Sequence, residues 1–369
     1  MARVAVVHER WTEQGGSENV ARALVETWPG SRLHVAFADP RTVPDELRDR
    51  IVVTELDAVH RALGRRSHAP LLPLAPAAWR RHRPEPGADA VLISHHAAAI
   101  SAAPTWAGSA PVIAYVHSPA RWAWAPELRS GERFGPVGGL ALAALAARTR
   151  AVERAAVPHL DVVLANSTAV ADRIERWWGV AARVVPPPVD VERFTPDGAG
   201  TGDYFLVAGR LVPYRRVDLA IRAAQRAGVR LVVAGDGRHG AALRRLAGDE
   251  TVFLGRVSDA DMVRLQREAI ATVMPGEEDF GIVPVEAMAA GTPVLARAAG
   301  GALDTVVPGL SGLHVPDADD EPFVAALAAV MRALRPADFD PAALRAHAER
   351  FSVDAFRDRM RAIVAEAVR

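Results

Sequence analysis

Short runs of β-branched residues alternate with Ala/Leu/Arg-rich helical stretches along the whole chain. This alternation is typical of parallel sheets that are covered by helices on both faces, so the chain is predicted to be an α/β protein. Two series of strands are predicted. They cover residues 3–7, 32–37, 90–94, 112–116 and 161–165, and then 204–208, 230–234, 251–254, 271–274 and 293–296.

A proline run at 186–188 and a Gly/Thr-rich stretch at 195–202 separate the two series. A stiff stretch followed by a flexible one is typical of a linker. We therefore predict an N-terminal Rossmann-like domain over 1–190, a linker over 191–202 and a C-terminal Rossmann-like domain over 203–350. The predicted fold is two facing doubly wound domains, with the ligand in the cleft between them, beyond the carboxyl ends of the strands.

The composition excludes several kinds of chemistry. The chain has no cysteine, which excludes disulfides, thiolate catalysis and Cys-ligated metals, and its 44 basic residues are all arginine, which excludes a Schiff-base lysine. The longest apolar stretch, 137–147, is about half of the roughly 20 residues that a membrane span needs, and we interpret it as a buried or interfacial helix. The N-terminus enters a predicted strand at once and shows no export signal, so a cytoplasmic location is expected.

Residues 275–286 form the most informative segment, because it combines two carboxylates with residues that shape a turn. Gly281 allows close backbone approach, and Pro284 suits the first turn of a helix. The pattern indicates a loop whose amides and first carboxylate, Glu278, face a ligand, followed by a helix that carries Glu286. Two acids at a helix start also fit simple compensation of the helix dipole.

Arginines follow the predicted strand at 204–208, at position 210 and at position 215 or 216. One guanidinium group can donate two parallel hydrogen bonds to phosphate oxygens. A diphosphate leaving group also needs positive charge where its own negative charge develops. Solvated surface arginines are the alternative. Gly15 and Gly16 open a predicted helix after the first strand, where free amides suit an anion, although glycine pairs also form ordinary turns.

Residues 235–240 satisfy the G-x-G-x-x-G pattern of dinucleotide-binding proteins, between a predicted strand and a predicted helix. The acid expected at the end of the next strand is missing, because that strand leads into Gly255 and Arg256. We therefore predict that this segment does not bind a nicotinamide cofactor.

Four histidines, His8, His95, His96 and His117, lie at or just beyond the carboxyl ends of predicted strands. Histidines at strand ends are often structural, and no carboxylates at ligand spacing accompany these, so no metal site is predicted. His117 is favoured for function because a proline, an arginine and two tryptophans crowd its loop, residues 117–124, where a sugar could stack.

Seven motifs, in this order along nearly the whole chain, resemble those of the retaining glycosyltransferases of family 4, which have the GT-B architecture. More narrowly, they are similar to its bacterial mannosyltransferase branch of O-antigen and capsule assembly. The motifs are Gly-Gly-x-Glu at 15–18, His-x-Pro-x-Arg at 117–121, Ala-Asn-Ser at 165–167, Pro-Pro-Val-Asp at 187–190, Gly-Arg-Leu-Val-Pro-Tyr at 209–214, Gly-Arg-Val-Ser at 255–258 and Glu-Asp-Phe-Gly-Ile-Val-Pro-Val-Glu at 278–286.

The resemblance implies a hexosyltransferase with a nucleotide-sugar donor, GDP-mannose in the narrower branch. Arg210 and Arg215 would hold the donor diphosphate and stabilise it as it leaves. The second position is usually Lys in relatives, and the longer, forked Arg changes its reach to the phosphates. Glu286 would accept hydrogen bonds from the ribose hydroxyls, and Glu278 would lie beside the donor sugar.

Further contacts follow from the same resemblance. The amides of Phe280, Gly281 and Ile282 would contact sugar and phosphate. Gly16, with its neighbour Gly15, would contact the diphosphate from the other domain.

The remaining roles that the resemblance implies concern the base, the reacting centre and the acceptor. Arg256 and Val257 would border the base, and His117 would contact the sugar near the anomeric carbon. The acceptor-side candidates are His96, Arg121 and Trp122.

The implied reaction is a front-face substitution, in which the acceptor hydroxyl attacks from the side on which the nucleotide leaves. It needs no metal and no cofactor, and residues 317–319, Asp-Ala-Asp, are interpreted as a surface turn. In this fold the last helix, here within 351–369, crosses back to the N-terminal domain.

The acceptor is expected to be a glycan or a lipid-linked sugar. Residues 60–83 contain six arginines and no acid among apolar residues, which suits peripheral contact with the inner membrane surface but equally suits an ordinary loop-helix region. The alternatives are another GT-B enzyme, such as an epimerase or a sucrose- or trehalose-type synthase, or a non-catalytic protein that binds sugar nucleotides. No nucleic-acid partner is predicted.

Overall fold

Two parallel β-sheets organise the chain. The computed structural model describes residues 2–65, 71–125 and 136–369. Contacts between Cα atoms divide the chain into a first unit, Met1–Pro188 with Phe356–Arg369, and a second unit, Val189–Ala355. The prediction of two Rossmann-like α/β domains is confirmed.

The first unit holds a seven-stranded sheet in the order β3-β2-β1-β4-β5-β6-β7. Every pairing is parallel, with Val6 opposite both Leu33 and Leu92. Because the strand order reverses between β1 and β4, the loops after these two strands diverge and leave room for a site. The strands are β1 (Val4–His8), β2 (Leu33–Val35), β3 (Ile51–Val53), β4 (Ala90–His95), β5 (Val112–Val116), β6 (Val162–Ala165) and β7 (Arg183–Val184).

Seven α-helices in the described part of this unit connect its strands. Local signals define their ends: Ser167 caps one helix by accepting a hydrogen bond from the amide of Val170, and Gly179 ends the same helix in the left-handed conformation. The helices are α1 (Gly16–Thr27), α2 (Leu56–Ala62), α3 (Ala75–Arg81), α4 (Ala103–Trp106), α5 (Arg121–Trp124), α6 (Pro136–Ala156) and α7 (Thr168–Trp178).

The second unit holds a six-stranded parallel sheet in the order β10-β9-β8-β11-β12-β13, which reverses between β8 and β11. Its strands are β8 (Tyr204–Ala208), β9 (Arg230–Ala234), β10 (Thr251–Gly255), β11 (Ala271–Met274), β12 (Val294–Arg297) and β13 (Gly312–Val315). Its helices are α8 (Val217–Ala227), α9 (Gly240–Leu246), α10 (Asp259–Glu268), α11 (Ile282–Ala289), α12 (Ala302–Thr305), α13 (Asp320–Ala333) and α14 (Pro341–Glu349).

All ten predicted strands are present, with bounds that differ by at most one residue at each end except at 32–37, where β2 ends two residues earlier. Three further strands, β3, β7 and β13, were not predicted. They have two to four residues each, too few to show a periodic pattern.

The unit boundary differs from the predicted linker at 191–202. Val191 and Phe194 are buried in the core of the second unit, so this segment packs there instead of joining two bodies loosely. The last helix, α15 (Val353–Ala367), packs on the first unit from Phe356 onward. The ring of Phe356 lies 5.7 Å from that of Tyr115.

Helix α6 contains the apolar stretch at 137–147, which was predicted to be buried or interfacial. Its exposed residues include Leu140, at 74% of its full accessibility, so this part of the helix is not buried. Among the described residues, no helix combines the length and the apolar character that crossing a membrane requires.

Candidate active site

The strand reversal in the second sheet brings two loops together. Strands β8 and β11 are neighbours, and residues 209–216 and 275–281 follow their carboxyl ends. This is the position at which open parallel sheets bind ligands. The two most informative segments of the sequence therefore lie side by side.

An ion pair joins these loops. The Nε atom of Arg215 lies 2.9 Å from Oε1 of Glu278, and both side chains are about three-quarters buried or more, with 24% and 18% exposed. A Cβ atom on Gly209 would overlap the guanidinium group of Arg215, and one on Gly276 would overlap the backbone of residues 214–215. Glycine at these positions makes room for the pair.

The neighbouring arginines differ from Arg215. Arg210 is exposed, and within the described ranges its guanidinium group has no ion pair or hydrogen bond, so it is available to an anion. Arg216 has partners, with Nη2 3.1 Å from Asp218 and 2.7 Å from Asp320. Both arginines thus make ion pairs, but Arg215 pairs with Glu278 of the 275–281 loop, whereas Arg216 pairs with Asp218 and Asp320.

Glu286 lies on α11 and faces an arginine that the sequence analysis missed. Oε1 of Glu286 is 3.1 Å from Nη2 of Arg193, and Nη1 of the same arginine lies 3.4 Å from Oδ2 of Asp259. Burial raises the pKa of Glu286, while the charge of Arg193 lowers it. No local pattern marks Arg193, because it is 93 residues from its partner in the sequence.

The turn between β11 and α11 depends on glycine. Gly281 has φ 93°, a conformation that favours glycine, immediately before the first residue of α11, Ile282. The side chain of Phe280 is buried against Phe351, so this residue can reach a ligand only through its backbone. A Cβ atom on Gly301 would overlap the backbone of Phe280, and one on Gly300 would overlap the carbonyl oxygen of Glu278. Glycine at both positions therefore lets this later segment pack against the turn, which the sequence analysis did not identify.

The G-x-G-x-x-G segment at 235–240 has a packing role. A Cβ atom on Gly235 would overlap the carbonyl group of Gly209, and one on Gly237 would overlap the backbone of Leu211. The amide of Leu211 also donates to the carbonyl oxygen of Asp236 at 2.9 Å. These glycines therefore let the 235–240 turn support the loop that carries Arg210.

Arg256 and Val257 follow β10, at the same edge of the sheet. Arg256 is exposed, and Val257 is partly buried against a small apolar cluster that includes Tyr204 and Leu206. In the sheet, β9 separates β10 from β8, the strand that precedes Arg210.

The first unit brings three of the four strand-end histidines together, and a serine links two of them by hydrogen bonds. Nδ1 of His8 lies 3.0 Å from Oγ of Ser94, and the same oxygen lies 2.8 Å from Nε2 of His117. The ring of His96 lies 5.9 Å from the rings of both His8 and His117. Burial lowers the pKa of His96 to about 4 and the pKa of His117 well below its usual range, so both rings are neutral.

Glu18 is the acidic member of this group. It lies on α1, whose first residue is Gly16, and its Oε1 is 3.7 Å from Nε2 of His8. Burial alone would raise the pKa of Glu18, but His8 and the hydroxyl of Ser17 lower it to about 2. A Cβ atom on Gly15 would be 3.0 Å from the Glu18 carboxylate, which leaves little space for a larger residue there.

His95 belongs to a separate, fully buried network. Its Nδ1 is 3.1 Å from Glu9 and its Nε2 is 3.3 Å from Glu153. Burial opposes a charge on the imidazole, but the two carboxylates raise the pKa of His95 to about 9. Glu9 also accepts hydrogen bonds from the amides of residues 96–99 at 2.7–2.9 Å, which fixes the loop beyond β4.

The acceptor-side candidates Arg121 and Trp122 begin the short helix α5, and both are partly buried. Trp122 also borders a largely apolar pocket. The pocket is lined by Leu72, Pro73, Pro76, Ala97, Ala98, Trp122, Leu145, Arg148, Thr149 and Val152. Of the basic segment at 60–83, residues 66–70 lie outside the described residues.

In the parts of the chain that the structure covers, no three or more His, Asp or Glu side chains are grouped so that they could hold a metal ion. The Asp-Ala-Asp stretch at 317–319 is not such a group. Asp317 lies 2.5 Å from Nη1 of Arg297, which pairs it within the fold.

Comparison with protein families gives two matches. The sequence model described as "Glycosyltransferase Family 4" matches residues 14–193, and the one described as "Glycosyl transferases group 1" matches residues 190–339. The two matched ranges follow one another along the chain and contain the site residues described above except His8 and Glu9, which precede residue 14.

Individual relatives agree with the family matches. A D-inositol 3-phosphate glycosyltransferase of Saccharomonospora viridis is 33% identical over 60% of this chain and 59% of the relative. A GDP-mannose-dependent monoacylated alpha-(1-6)-phosphatidylinositol monomannoside mannosyltransferase of Corynebacterium glutamicum is 35% identical over 37% of this chain and 43% of the relative. The chain thus matches less than two-thirds of the length of these relatives.

Solved structures show the same fold. The crystal structure of Anabaena HepE in complex with UDP and glucose has a TM-score of 0.68 and 17% sequence identity, over 99% of this chain and 100% of that one. At this identity the likeness concerns the fold alone. The motifs, the two consecutive family matches and these relatives show that the chain belongs to the group 1 glycosyltransferases of family 4.

Proposed function

We propose that this chain is a retaining glycosyltransferase that moves a hexose from a nucleotide sugar to an acceptor hydroxyl. One observation carries the proposal. The Arg215–Glu278 ion pair lies where the second sheet reverses, and Arg210 is in the same loop as Arg215, with no ion pair or hydrogen bond of its guanidinium group among the described residues. A pair of cations beside a buried carboxylate suits a ligand with a negative diphosphate joined to a neutral, hydroxyl-rich sugar.

Arg210 and Arg215 are proposed to bind the diphosphate. As the bond between the sugar and the phosphate breaks, negative charge grows on the leaving oxygen, and these guanidinium groups stabilise it. The acceptor hydroxyl attacks from the same face and gives its proton to the departing phosphate oxygen. Because the two arginines supply the positive charge, we propose that no metal ion and no cofactor take part.

Glu286 and the turn before α11 are proposed to orient the nucleoside and the sugar. A carboxylate accepts hydrogen bonds from two adjacent ribose hydroxyls, and the Arg193 contact uses only one of its oxygens, Oε1. The amides of Phe280, Gly281 and Ile282 would donate to the sugar and phosphate oxygens, and Glu278 would accept from a sugar hydroxyl. Gly15 and Gly16 of the first unit are proposed to contact the diphosphate.

We propose GDP-mannose as the donor and a glycan or lipid-linked molecule as the acceptor. The Corynebacterium relative is named for GDP-mannose, whereas the Saccharomonospora relative is named for inositol 3-phosphate. The apolar pocket beside Trp122, with Arg148 on its wall, suits an acceptor that has both an apolar chain and a negative charge. His96, Arg121 and Trp122 remain proposed acceptor contacts, and O-antigen or capsule assembly remains the proposed setting.

Release of free nucleotide tests the enzymatic proposal. Purified protein is incubated with GDP-mannose, UDP-glucose and other sugar nucleotides, with and without inositol phosphate, mannosides and lipid-linked sugars. A transferase releases nucleotide faster when its acceptor is present, and the new glycosidic bond keeps the anomeric configuration of the donor. An epimerase would convert the sugar nucleotide into its epimer without an acceptor. A sucrose- or trehalose-type synthase would require a free sugar or sugar phosphate, and a binding protein would release nothing.

Vesicle flotation tests the proposed membrane contact. Binding to anionic vesicles at moderate salt, and none to neutral vesicles, is expected if the basic residues of 60–83 lie on the membrane surface. Replacing Arg80 and Arg81 with glutamine should weaken that binding, whereas replacing the equally exposed Arg369, outside the segment, should not. Equal flotation of both variants would contradict this part of the proposal.

A further inference from the structure

A buried serine connects two histidines of the first unit. Oγ of Ser94 is 3.0 Å from Nδ1 of His8 and 2.8 Å from Nε2 of His117, and both Ser94 and His8 are fully buried. A hydroxyl group has one proton to donate. If both rings donated to Ser94, its own proton would have no partner among the described residues, which is costly in a buried site. The serine therefore donates to one ring and accepts from the other.

Glu18 decides between these two directions. Nε2 of His8 is buried, has no hydrogen bond within the described ranges and lies 3.7 Å from Oε1 of Glu18. At this distance the contact is electrostatic and not a hydrogen bond. An N–H group that points towards the carboxylate is attracted to it, whereas a lone pair is repelled, and burial strengthens both effects. In neutral His8 the proton is therefore on Nε2, and Nδ1 accepts from Ser94.

The direction of the remaining bond follows. Because the hydroxyl of Ser94 donates to His8, its oxygen accepts from Nε2–H of His117. We propose that Glu18, His8 and Ser94 are positioning residues that hold His117 in the Nε2–H tautomer, which leaves Nδ1 as a hydrogen-bond acceptor. Nδ1 of His117 has no hydrogen-bond partner in the part of the chain that the structure describes.

If the proposed function is correct, the unprotonated Nδ1 of His117 has a role in binding the sugar. An unprotonated ring nitrogen accepts a hydrogen bond from a hydroxyl group of the bound sugar, whereas an N–H group would compete with that hydroxyl for acceptors. The rings of His96 and Tyr115 lie 5.9 Å and 5.3 Å from that of His117, so the imidazole is also held in place from two sides. The Gly-Gly-x-Glu motif would then act through its glutamate as well as through its glycines.

Nitrogen NMR tests the tautomer directly and does not need enzymatic activity. In protein labelled with 15N-histidine at pH 8, above the ordinary range of histidine titration, His117 is expected as the Nε2–H tautomer. A His117→Gln variant assigns the signal. Glu18→Gln replaces the carboxylate with an amide that can donate to Nε2 of His8, so a substantial Nδ1–H population of His117 is expected. The matched control Glu26→Gln, two turns later on α1, should leave the wild-type tautomer.

Further outcomes are equally decisive. An Nδ1–H or doubly protonated His117 in the wild-type protein overturns the proposal, as does a Glu18→Gln spectrum identical to the wild type. If Glu18→Gln does not fold, Ser94→Ala replaces it, and its His117 should lose the single tautomer. With an active donor and acceptor pair, Ser94→Ala should lower turnover by about tenfold, the effect of one hydrogen bond. If the spectra are as expected but no turnover is found with any donor and acceptor, the assignment of the His117 tautomer stands and the proposed function is rejected.

Discussion

Nε of Arg215 lies 2.9 Å from Oε1 of Glu278, across the point at which the second sheet reverses its strand order. The two residues are 63 positions apart in the sequence and come from the loops after β8 and β11. Each holds the side chain of the other in place when no ligand is bound. A diphosphate would therefore meet a guanidinium group that is already oriented, which lowers the entropy cost of binding.

The charge of Arg215 should matter more than its shape. Arg215→Ala is expected to lower kcat by at least about 100-fold, since it removes a contact to the leaving group and the ion pair with Glu278. Arg215→Lys should stay within about tenfold of the wild type, because an ammonium group keeps the charge but not the forked geometry. Steady-state nucleotide release measures both. Arg216→Lys is the matched control, and a comparable loss in that variant would contradict the assignment.

Arg210 and Glu278 should each be essential for turnover. Arg210→Ala and Glu278→Gln are each expected to lower kcat by at least about 100-fold, the scale of losing one electrostatic contact in the transition state. Circular dichroism should show that both variants are folded, because Arg210 is exposed and the glutamine has the shape of Glu278. Near-normal rates in both variants would remove the basis of the site.

Donor binding should depend on the ionisation of Glu286. Burial raises the pKa of this carboxyl group, and Arg193 lowers it. If the carboxylate accepts from the ribose, donor affinity falls as the pH falls through this pKa, because the protonated form loses acceptor capacity. Calorimetric titration with GDP-mannose between pH 5 and 8 measures the midpoint.

Two variants should move that midpoint in opposite directions. Arg193→Gln removes the charge that lowers the pKa, so the loss of affinity should begin at a higher pH. Asp259→Asn removes a nearby charge that raises the pKa of Glu286, and should shift the loss to a lower pH. An unchanged midpoint in both variants would show that Glu286 does not control binding.

The stability of the first unit should fall at alkaline pH because of His95. Its pKa is raised to about 9 in the folded state by Glu9 and Glu153, against about 6.5 in the unfolded chain. A raised pKa stabilises the fold fully below the unfolded value, and this stabilisation is lost as the pH rises through the folded one. The free energy of unfolding should therefore fall between pH 6.5 and 9, by as much as about 3 kcal/mol.

Tryptophan fluorescence measures this stability selectively, because all 8 tryptophans lie within the first 188 residues. Urea titrations followed by fluorescence give the free energy at each pH. His95→Gln should be less stable at pH 6.5 and should lack most of the alkaline loss, whereas the exposed His159→Gln should behave like the wild type. Parallel pH profiles for the wild type and His95→Gln would exclude this network as the cause.

The G-x-G-x-x-G segment should prove structural. Gly235→Ala is expected to destabilise the second unit by about 2 kcal/mol or more, because Gly235 has φ 142° and its Cβ atom would overlap Gly209. Donor affinity should fall with it, since the loop that carries Arg210 must move. Scanning calorimetry and donor titration measure the two effects. The control is Gly228→Ala, whose Cβ atom would meet nothing within 4 Å, so its loss of stability should come only from the strain of its positive φ. Tight binding of NAD by the wild type would contradict a purely structural role for residues 235–240.

Much of the fold was predictable because its signals are local. β-branched runs marked ten strands, and Pro284 marked the first turn of α11. The short strands β3, β7 and β13 escaped prediction because two to four residues carry no period. The segment at 191–202 was interpreted as a linker from composition, whereas Val191 and Phe194 are held by a core that composition does not reveal.

The sequence by itself determined the α/β class and the family, and it singled out the segments 209–216 and 275–286 as the candidate site. All of these depend on short-range patterns and on the order of motifs. Only the tertiary structure decided that Arg216 has a structural role, that Arg193 pairs with Glu286 and that Ser94 links His8 to His117. The partners in these contacts are 86–104 positions apart for the Arg216–Asp320, Arg193–Glu286 and His8–Ser94 pairs. Such partners meet only when parallel strands bring their loops to one edge of a sheet, and no local pattern records which side chains will face each other there.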